Sequence, residues 1–139
     1  MKNVIVSVIG TVGSFIAAAL GGWDSAIIAL LSFMAIDYIT GFVVALVFHK
    51  SNKSASGGLE SRAGLKGLCK KCMILLLVVV ANLLDQQMGA TYIRDGVCIA
   101  FMANELLSIV ENASLMGLPI PKVITDALDV LHTNQNTEV

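Results

Sequence analysis

Apolar residues are grouped into long blocks along this chain, and short polar segments separate the blocks. Residues 4–22 contain no charge, and residues 26–48 contain only Asp37. Each block has about the 20 residues that cross roughly 30 Å of hydrocarbon as an α-helix. The polar turn at 22–25 places Trp23 where an aromatic residue anchors a helix at the membrane interface. The two blocks therefore predict a transmembrane helical hairpin.

Two later segments predict a third span and a helix with a polar stripe. Residues 73–84 are apolar except for Asn82, and the span becomes long enough at 68–88 if the flanking lysines extend to the headgroups. In residues 93–112, a rotation of 100° per residue brings several polar side chains near one stripe. Such a helix either spans the membrane, with its stripe against protein or water, or lies flat at the interface. The stripe contains Arg94, Cys98, Glu105, Ser108 and Asn112.

The whole pattern predicts an all-α integral membrane protein with three or four transmembrane helices and a short amphipathic helix at the C-terminus. The membrane domain covers residues 1–116, with spans at about 4–22, 26–48, 68–88 and 93–112 and a basic loop at 49–67. Gly117 and two prolines then end the fourth helix. Residues 117–139 form the C-terminal segment, with apolar positions at Ile124, Ala127, Leu128 and Leu131.

Composition supports a membrane protein and argues against a soluble enzyme. The 139 residues are 56% hydrophobic and 14% charged, and their mean hydropathy is +0.82, whereas soluble domains carry roughly 25% charged residues. The net charge of −1 gives no reason to expect a nucleic-acid partner. The sequence contains no G-x-S-x-G, H-E-x-x-H or Walker motif. We therefore predict no catalytic residues and no cofactor.

Basic residues are concentrated before the third span and predict the topology. Short cytoplasmic loops carry the excess of Lys and Arg, so this loop is predicted to be cytoplasmic and to contact anionic lipid. With four spans both termini are cytoplasmic, whereas with three spans the C-terminus lies outside. The residues are Lys50, Lys53, Arg62, Lys66, Lys70 and Lys71.

Small residues recur every four positions on the first helix and let another helix approach closely. They pack either against the second helix of the same chain or against another subunit, and Gly41 extends this prediction to the second span. The helix-packing set is Gly10, Gly13, Ser14, Ala17, Ala18, Gly21, Gly22 and Gly41.

Asp37 lies near the middle of the second span, where an unpaired charge costs at least about 2.5–3.5 kcal/mol. It either belongs to an ion path or assembly switch, or it is a neutral carboxyl hydrogen-bonded to Thr40 or Tyr38. Cys69 and Cys72 form a C-x-x-C pair, but zinc needs two further ligands. We therefore predict ordinary interfacial cysteines and no metal site.

Four segments together resemble the phage lysis and toxin-secretion holin family of Gram-positive hosts. They are DYITG at 37–41, GLKGLCKK at 64–71, NELLSIVEN at 104–112 and GLPIP at 117–121, and the resemblance extends from about residue 27 to 131. It implies a non-enzymatic protein that oligomerises in the host cytoplasmic membrane at a set time. The resulting lesion releases an endolysin, which needs no direct contact with the holin, or in some relatives a toxin. The tail after Leu131 is mildly acidic, whereas many holins end in a basic tail.

This resemblance gives the polar residues a role that the pattern alone leaves open. Helices with polar stripes hide them from lipid by assembling around water. The predicted intramembrane and pore-lining set is Asp37, Thr40, Arg94, Asn104, Glu105, Ser108, Glu111 and Asn112. The expected partners are further copies of the chain and anionic lipids. The alternatives are a small selective ion channel or transporter, and an anti-holin that delays another holin.

Overall fold

A computed structural model describes residues 1–137, without the side chains of Leu128, Leu131, His132 and residues 134–137. The predicted apolar positions Leu128 and Leu131 and the last two residues of the 117–139 segment therefore lie outside the described part. The described chain is helical and contains no strand, which confirms the all-α fold class. The helices are α1 (Lys2–Ala19), α2 (Ser25–Val43, continued by a π-helical turn Val44–Phe48), α3 (Ser61–Met88), α4 (Ile93–Leu115) and α5 (Lys122–Thr137).

The hairpin between α1 and α2 has clear local causes. Gly21 and Gly22 adopt φ values of 90° and 105°, which glycine tolerates better than any other residue. The Asp24 carboxylate then accepts a hydrogen bond from the Ile27 N–H at 3.1 Å and caps the first turn of α2. Trp23 lies between these groups and is 56% exposed.

Helices α2, α3 and α4 form the packed body of the protein. Their shared apolar core includes Ile27, Leu30, Val78 and Cys98, each with no exposed surface. Helix α4 packs most extensively against α2 and also contacts α3. Contacts from Arg94 to Asp24 and from Asn112 to Thr40 lie near opposite ends of α4, so α4 runs parallel to α2.

Helix α1 is peripheral to this body. Ala17 is its one buried residue, and its apolar side chains from Val4 to Phe15 are largely exposed. Exposing this much apolar surface to water would cost free energy, whereas lipid tails are as apolar as these side chains. The exposure therefore agrees with a helix surrounded by lipid.

Within the described residues, three helices are long and apolar enough to cross a membrane: α1, α2 with its π-helical turn, and α3. Helix α4, which contains four charged residues, is not among them. Helix α3 starts at Ser61, so residues 61–67 of the predicted loop are helical. At 28 residues, α3 is about 42 Å long and extends beyond the hydrocarbon thickness.

Candidate functional site

Three charged side chains from three helices meet inside the bundle. The Lys71 ammonium of α3 lies 2.7 Å from Asp37 Oδ2 of α2 and 2.6 Å from Glu105 Oε2 of α4. The exposed fractions of the three side chains are 12%, 8% and 5%. One cation therefore joins two carboxylates and links all three helices of the body. We call these residues the inner triad.

Asn112 completes the environment of Asp37. Its amide donates to Asp37 Oδ1 and to the Asp37 carbonyl, both at 3.2 Å, and to Thr40 Oγ1 at 2.9 Å. The Thr40 hydroxyl donates to the Ile36 carbonyl at 2.8 Å. Burying a carboxylate that is paired with a cation and an amide donor costs far less free energy than burying an unpaired one.

The loop before α3 covers the triad through Lys53. Its ammonium lies 3.1 Å from Ser108 Oγ and 3.7 Å from Asp37 Oδ1, and its side chain is 48% exposed. Gly41 lies beneath it, because a Cβ there would be 3.8 Å from Lys53 Nζ and 3.6 Å from Asn112 Nδ2. In the single chain Gly41 therefore lies under this polar group, on the side of α2 that faces Asn112 of α4.

A second polar cluster joins the two helical hairpins at the opposite end of the bundle. The Arg94 guanidinium binds the two Asp24 carboxylate oxygens at 2.7 and 3.0 Å. This cation lowers the pKa of Asp24 from 3.8 to about 2. Asp85 accepts the backbone N–H groups of Ile93 and Arg94 at 3.0 and 2.9 Å and thus caps α4. We call Asp24, Asp85 and Arg94 the outer clasp.

Gly21 also belongs to this region, because the hairpin turn lies against Arg94. A Cβ at Gly21 would lie 2.6 Å from Arg94 Nε and 2.8 Å from Asn82 Oδ1. Asn82 donates to the Ala19 carbonyl at 3.1 Å and satisfies the end of α1. The close approach of the turn to Arg94 and Asn82 explains why residue 21 is a glycine, and this reason needs no contact between subunits.

The structure brings together part of the predicted polar set and separates the rest. Arg94, Cys98, Glu105 and Asn112 are buried against the body, so most of the α4 stripe faces protein. Ser108 and Thr40 are partly buried, whereas Asn104 and Glu111 are exposed. Arg94 lies in the outer clasp, away from the inner triad. Throughout the described residues, every buried side-chain nitrogen or oxygen has a hydrogen-bond partner.

Two sequence-based placements differ from the structure. We expected Lys71 at the membrane surface with the other basic residues, but it reaches the buried carboxylates. Lys71 lies on the same face of α3 as Ile74 and Val78, which are both buried. Its helical spacing from these apolar residues is the sequence feature that indicates burial of Lys71. Asp37 is paired with Lys71 instead of with a Thr40 or Tyr38 side chain; the Tyr38 hydroxyl is 3.4 Å from the Gly64 carbonyl.

The small-residue rows are shorter than predicted. Helix α1 ends at Ala19, so Gly21 and Gly22 lie in the turn and leave the helical rows. A Cβ placed on Gly10 or on Gly13 would have no neighbouring atom within 4 Å. Packing of these two glycines within the single chain is therefore not observed, while Ser14 and Ala18 are exposed.

Exposed cations remain on the loop and on the start of α3. Lys50, Arg62, Lys66 and Lys70 are exposed, consistent with their expected contact with lipid headgroups. Cys69 and Cys72 are also exposed, and Cys98 is buried. Among the described residues, no group of three or more His, Cys, Asp or Glu side chains is placed to hold a metal ion.

These features define a small helical membrane protein whose bundle contains charges paired across helices. The model of the bacteriophage holin family matches residues 14–133. The chain is 38% identical over 106 residues to a probable holin of Bacillus phage phi105, covering 74% of this chain and 73% of that protein. The chain belongs to the bacteriophage holin family.

Bacterial genomes encode similar proteins. An uncharacterized protein of Clostridium perfringens strain 13 is 35% identical over 141 residues, which cover 98% of both chains. The uncharacterized protein YtkC of Bacillus subtilis is 30% identical over 112 residues, covering 80% of this chain and 78% of its own length. No solved structure matches the chain. Membership in this family favours a non-enzymatic role.

Proposed function

We propose that this chain is a holin that assembles in the host cytoplasmic membrane and permeabilises it at a set time, so that an endolysin reaches the cell wall. The observation that carries the proposal is the family match over residues 14–133. The three membrane-length helices support it. The endolysin acts as a functional partner through the lesion and needs no contact with this chain.

We further propose four spans, with α4 as the fourth and both termini in the cytoplasm. The parallel packing of α4 on α2 supports this, because α4 then extends along the same part of the bundle as a membrane-length helix. Lys2, the basic residues from Lys50 to Lys71 and Lys122 then share one side, and Arg94 alone lies on the other. This asymmetry matches the excess of Lys and Arg in cytoplasmic loops.

The inner triad favours a closed resting state and a cooperative transition. In the single chain, Asp37, Lys71 and Glu105 satisfy one another away from lipid. Separating α4 from α2 and α3 in lipid would expose unpaired charges, which is costly. If several copies open around water, solvation replaces the lost pairs. The free-energy cost of opening, counted per chain, then falls as more copies assemble. Opening therefore requires a threshold number of copies.

The proposed lesion is lined by polar residues, some already exposed on α4 and others held between the helices of the closed chain. Asn104 and Glu111 are already exposed on α4, and Glu105 and Asn112 lie on its buried face. A rotation or separation of α4 exposes the second pair. The same change exposes Asp37, Thr40 and Ser108 to the water-filled space, whereas Arg94 lines its outer end.

Inducible expression in a bacterium tests this function. Membrane potential is followed with a dye, with and without a co-expressed cytoplasmic endolysin. A holin maintains the potential during accumulation and then collapses it abruptly, with lysis when endolysin is present. A selective channel dissipates the potential without releasing the endolysin. An anti-holin leaves the potential intact and delays lysis by a co-expressed holin.

A further inference from the structure

Helix α3 presents a basic and apolar surface that is exposed in the described part of the chain. Arg62, Lys66 and Lys70 recur every four residues, so they form one exposed row. Leu65, which borders this row next to Arg62, is 62% exposed. Because α3 exceeds the roughly 20 residues that hydrocarbon requires, its first turns extend into the aqueous side. We call Arg62, Leu65, Lys66 and Lys70 the α3 surface.

Helix α5 has the same amphipathic character, and its charged residues after Lys122 are acids. Asp126 and Asp129 are exposed and lie one turn apart. Val123 and Val130, which lie on the adjoining face, are 80% and 60% exposed. Among the described residues, α5 packs extensively against no other helix of its own chain. Val123 and Val130 are thus uncovered, and the two acids lie on the adjoining face.

The two surfaces lie at the same end of the bundle. The pairs from Lys71 to Glu105 and from Lys53 to Ser108 align the start of α3 and the loop before it with the later part of α4. Helix α5 follows α4 after six residues, 116–121. Both surfaces therefore face the same aqueous compartment. Neighbouring copies in one membrane bring one chain's α5 to the level of another chain's α3.

We propose that α5 of one copy docks on the α3 surface of a second copy and links subunits outside the hydrocarbon. The charge complementarity favours this occupant, because acids on α5 meet cations on α3 while the apolar residues cover one another. Anionic lipid headgroups would satisfy the cations but leave Val123 and Val130 uncovered. The proposal rests on the proposed function, since it names a contact within the holin assembly.

A two-chain crosslinking experiment tests the contact directly. One tagged copy keeps Cys69, which lies beside the α3 surface, and carries Cys72→Ser. A differently tagged copy carries Val130→Cys, Cys69→Ser and Cys72→Ser. A short bismaleimide is added to membranes that contain both copies. Both copies also carry Cys98→Ala, so the thiols that remain are Cys69 on the first copy and the cysteine introduced at position 130 on the second. A mixed product, scored per membrane-inserted chain, then requires α5 of the second copy to lie beside α3 of the first.

Charge reversal decides whether complementarity holds the contact. The α3 reversal is Arg62→Glu with Lys66→Glu, which retains Lys50, Lys53 and Lys70 for orientation. The α5 reversal is Asp126→Lys with Asp129→Lys. Each reversal alone should reduce the mixed product about fivefold, because exposed ion pairs each contribute modestly and the reversed charges repel. Both reversals together should restore it.

Other occupants give different patterns. If α3 binds only lipid, the product is insensitive to the α5 reversal. If α5 docks within its own chain, the mixed product is low in every combination. Either pattern, or failure of the double reversal to restore the product, overturns the docking proposal. Measured alongside, an abrupt collapse of membrane potential shows that the holin proposal survives that failure.

Discussion

Replacing Lys71 by Met tests the inner triad, because it removes one cation from two buried carboxylates. Asp37 Oδ2 and Glu105 Oε2 lie 2.7 and 2.6 Å from the lost ammonium, and their side chains are 8% and 5% exposed. Removing one partner of a buried ion pair costs about 3–5 kcal/mol. In an open, water-lined assembly the same carboxylates are solvated. The substitution therefore destabilises the closed state selectively.

The expected result is earlier triggering together with lower stability of the closed chain. A change of about 3 kcal/mol shifts the equilibrium between closed and open chains roughly a hundredfold. Onset of depolarisation is measured after induction and normalised to the amount of membrane-inserted protein. Thermal unfolding of the purified chain in mild detergent gives the stability change independently.

Two matched variants separate loss of the triad from loss of a basic residue. Lys50→Met removes an exposed loop cation and should leave both the onset and the unfolding midpoint unchanged. The neutral triple variant Asp37→Asn, Lys71→Met, Glu105→Gln carries no charge in the triad, so it should regain most of the lost stability. Normal onset and a normal unfolding midpoint in Lys71→Met would refute the closed-state argument.

Three further outcomes follow from the outer clasp and the glycines. Gly21→Ala should destabilise the chain by about 1–2 kcal/mol, because it combines a positive φ with a Cβ position 2.6 Å from Arg94 Nε; an unchanged unfolding midpoint would contradict the close packing of this turn. Gly10→Ala with Gly13→Ala should not lower that midpoint, since both lie in open space and alanine favours a helix more than glycine does, but should slow crosslinked assembly and lysis if α1 packs between copies. Asp24 has its pKa lowered from 3.8 to about 2, so its stabilisation is present above pH 3.8 and is lost as the pH falls through 2. Asp24→Asn should remove that acid-dependent step, which we expect to be only about 0.5–1 kcal/mol because the carboxylate is half exposed.

The sequence was informative where local periodicity determines structure. The two apolar blocks predicted α1 and α2, and the rotation of 100° per residue placed Glu105 and Asn112 on one face of α4. The structure places both side chains on its buried face. These predictions required only the geometry of one helix and the length of a membrane span.

Contacts between helices were harder to predict from the sequence. Lys71 stands beside exposed Lys70 in the sequence, and its burial depends on how α3 rotates toward α2 and α4. The choice of Lys71 as the partner of Asp37 is therefore a property of packing, not of either segment alone. Likewise, four-residue spacing carried the small-residue rows into Gly21 and Gly22, although paired glycines favour the end of a helix and a turn.

Helix α3 shows how loop composition can conceal a helix start. The serine- and glycine-rich residues 51–58 extended the predicted loop through residue 67, but the helix begins at Ser61. Gly64 and Gly67 weaken helix propensity. They remain in the helix where it meets Tyr38, which lies 3.4 and 3.8 Å from Cβ positions built on them. Tertiary contact therefore offsets the weak local preference.

Release of folded protein from vesicles tests the central claim most directly. The purified chain is reconstituted at increasing density into vesicles that contain a small dye and a folded protein of endolysin size. We predict little release below a threshold density and release of both cargoes above it, with an earlier threshold for Lys71→Met. Release of the small dye alone at every density, with the protein fully retained, would contradict a holin lesion and support a narrow channel.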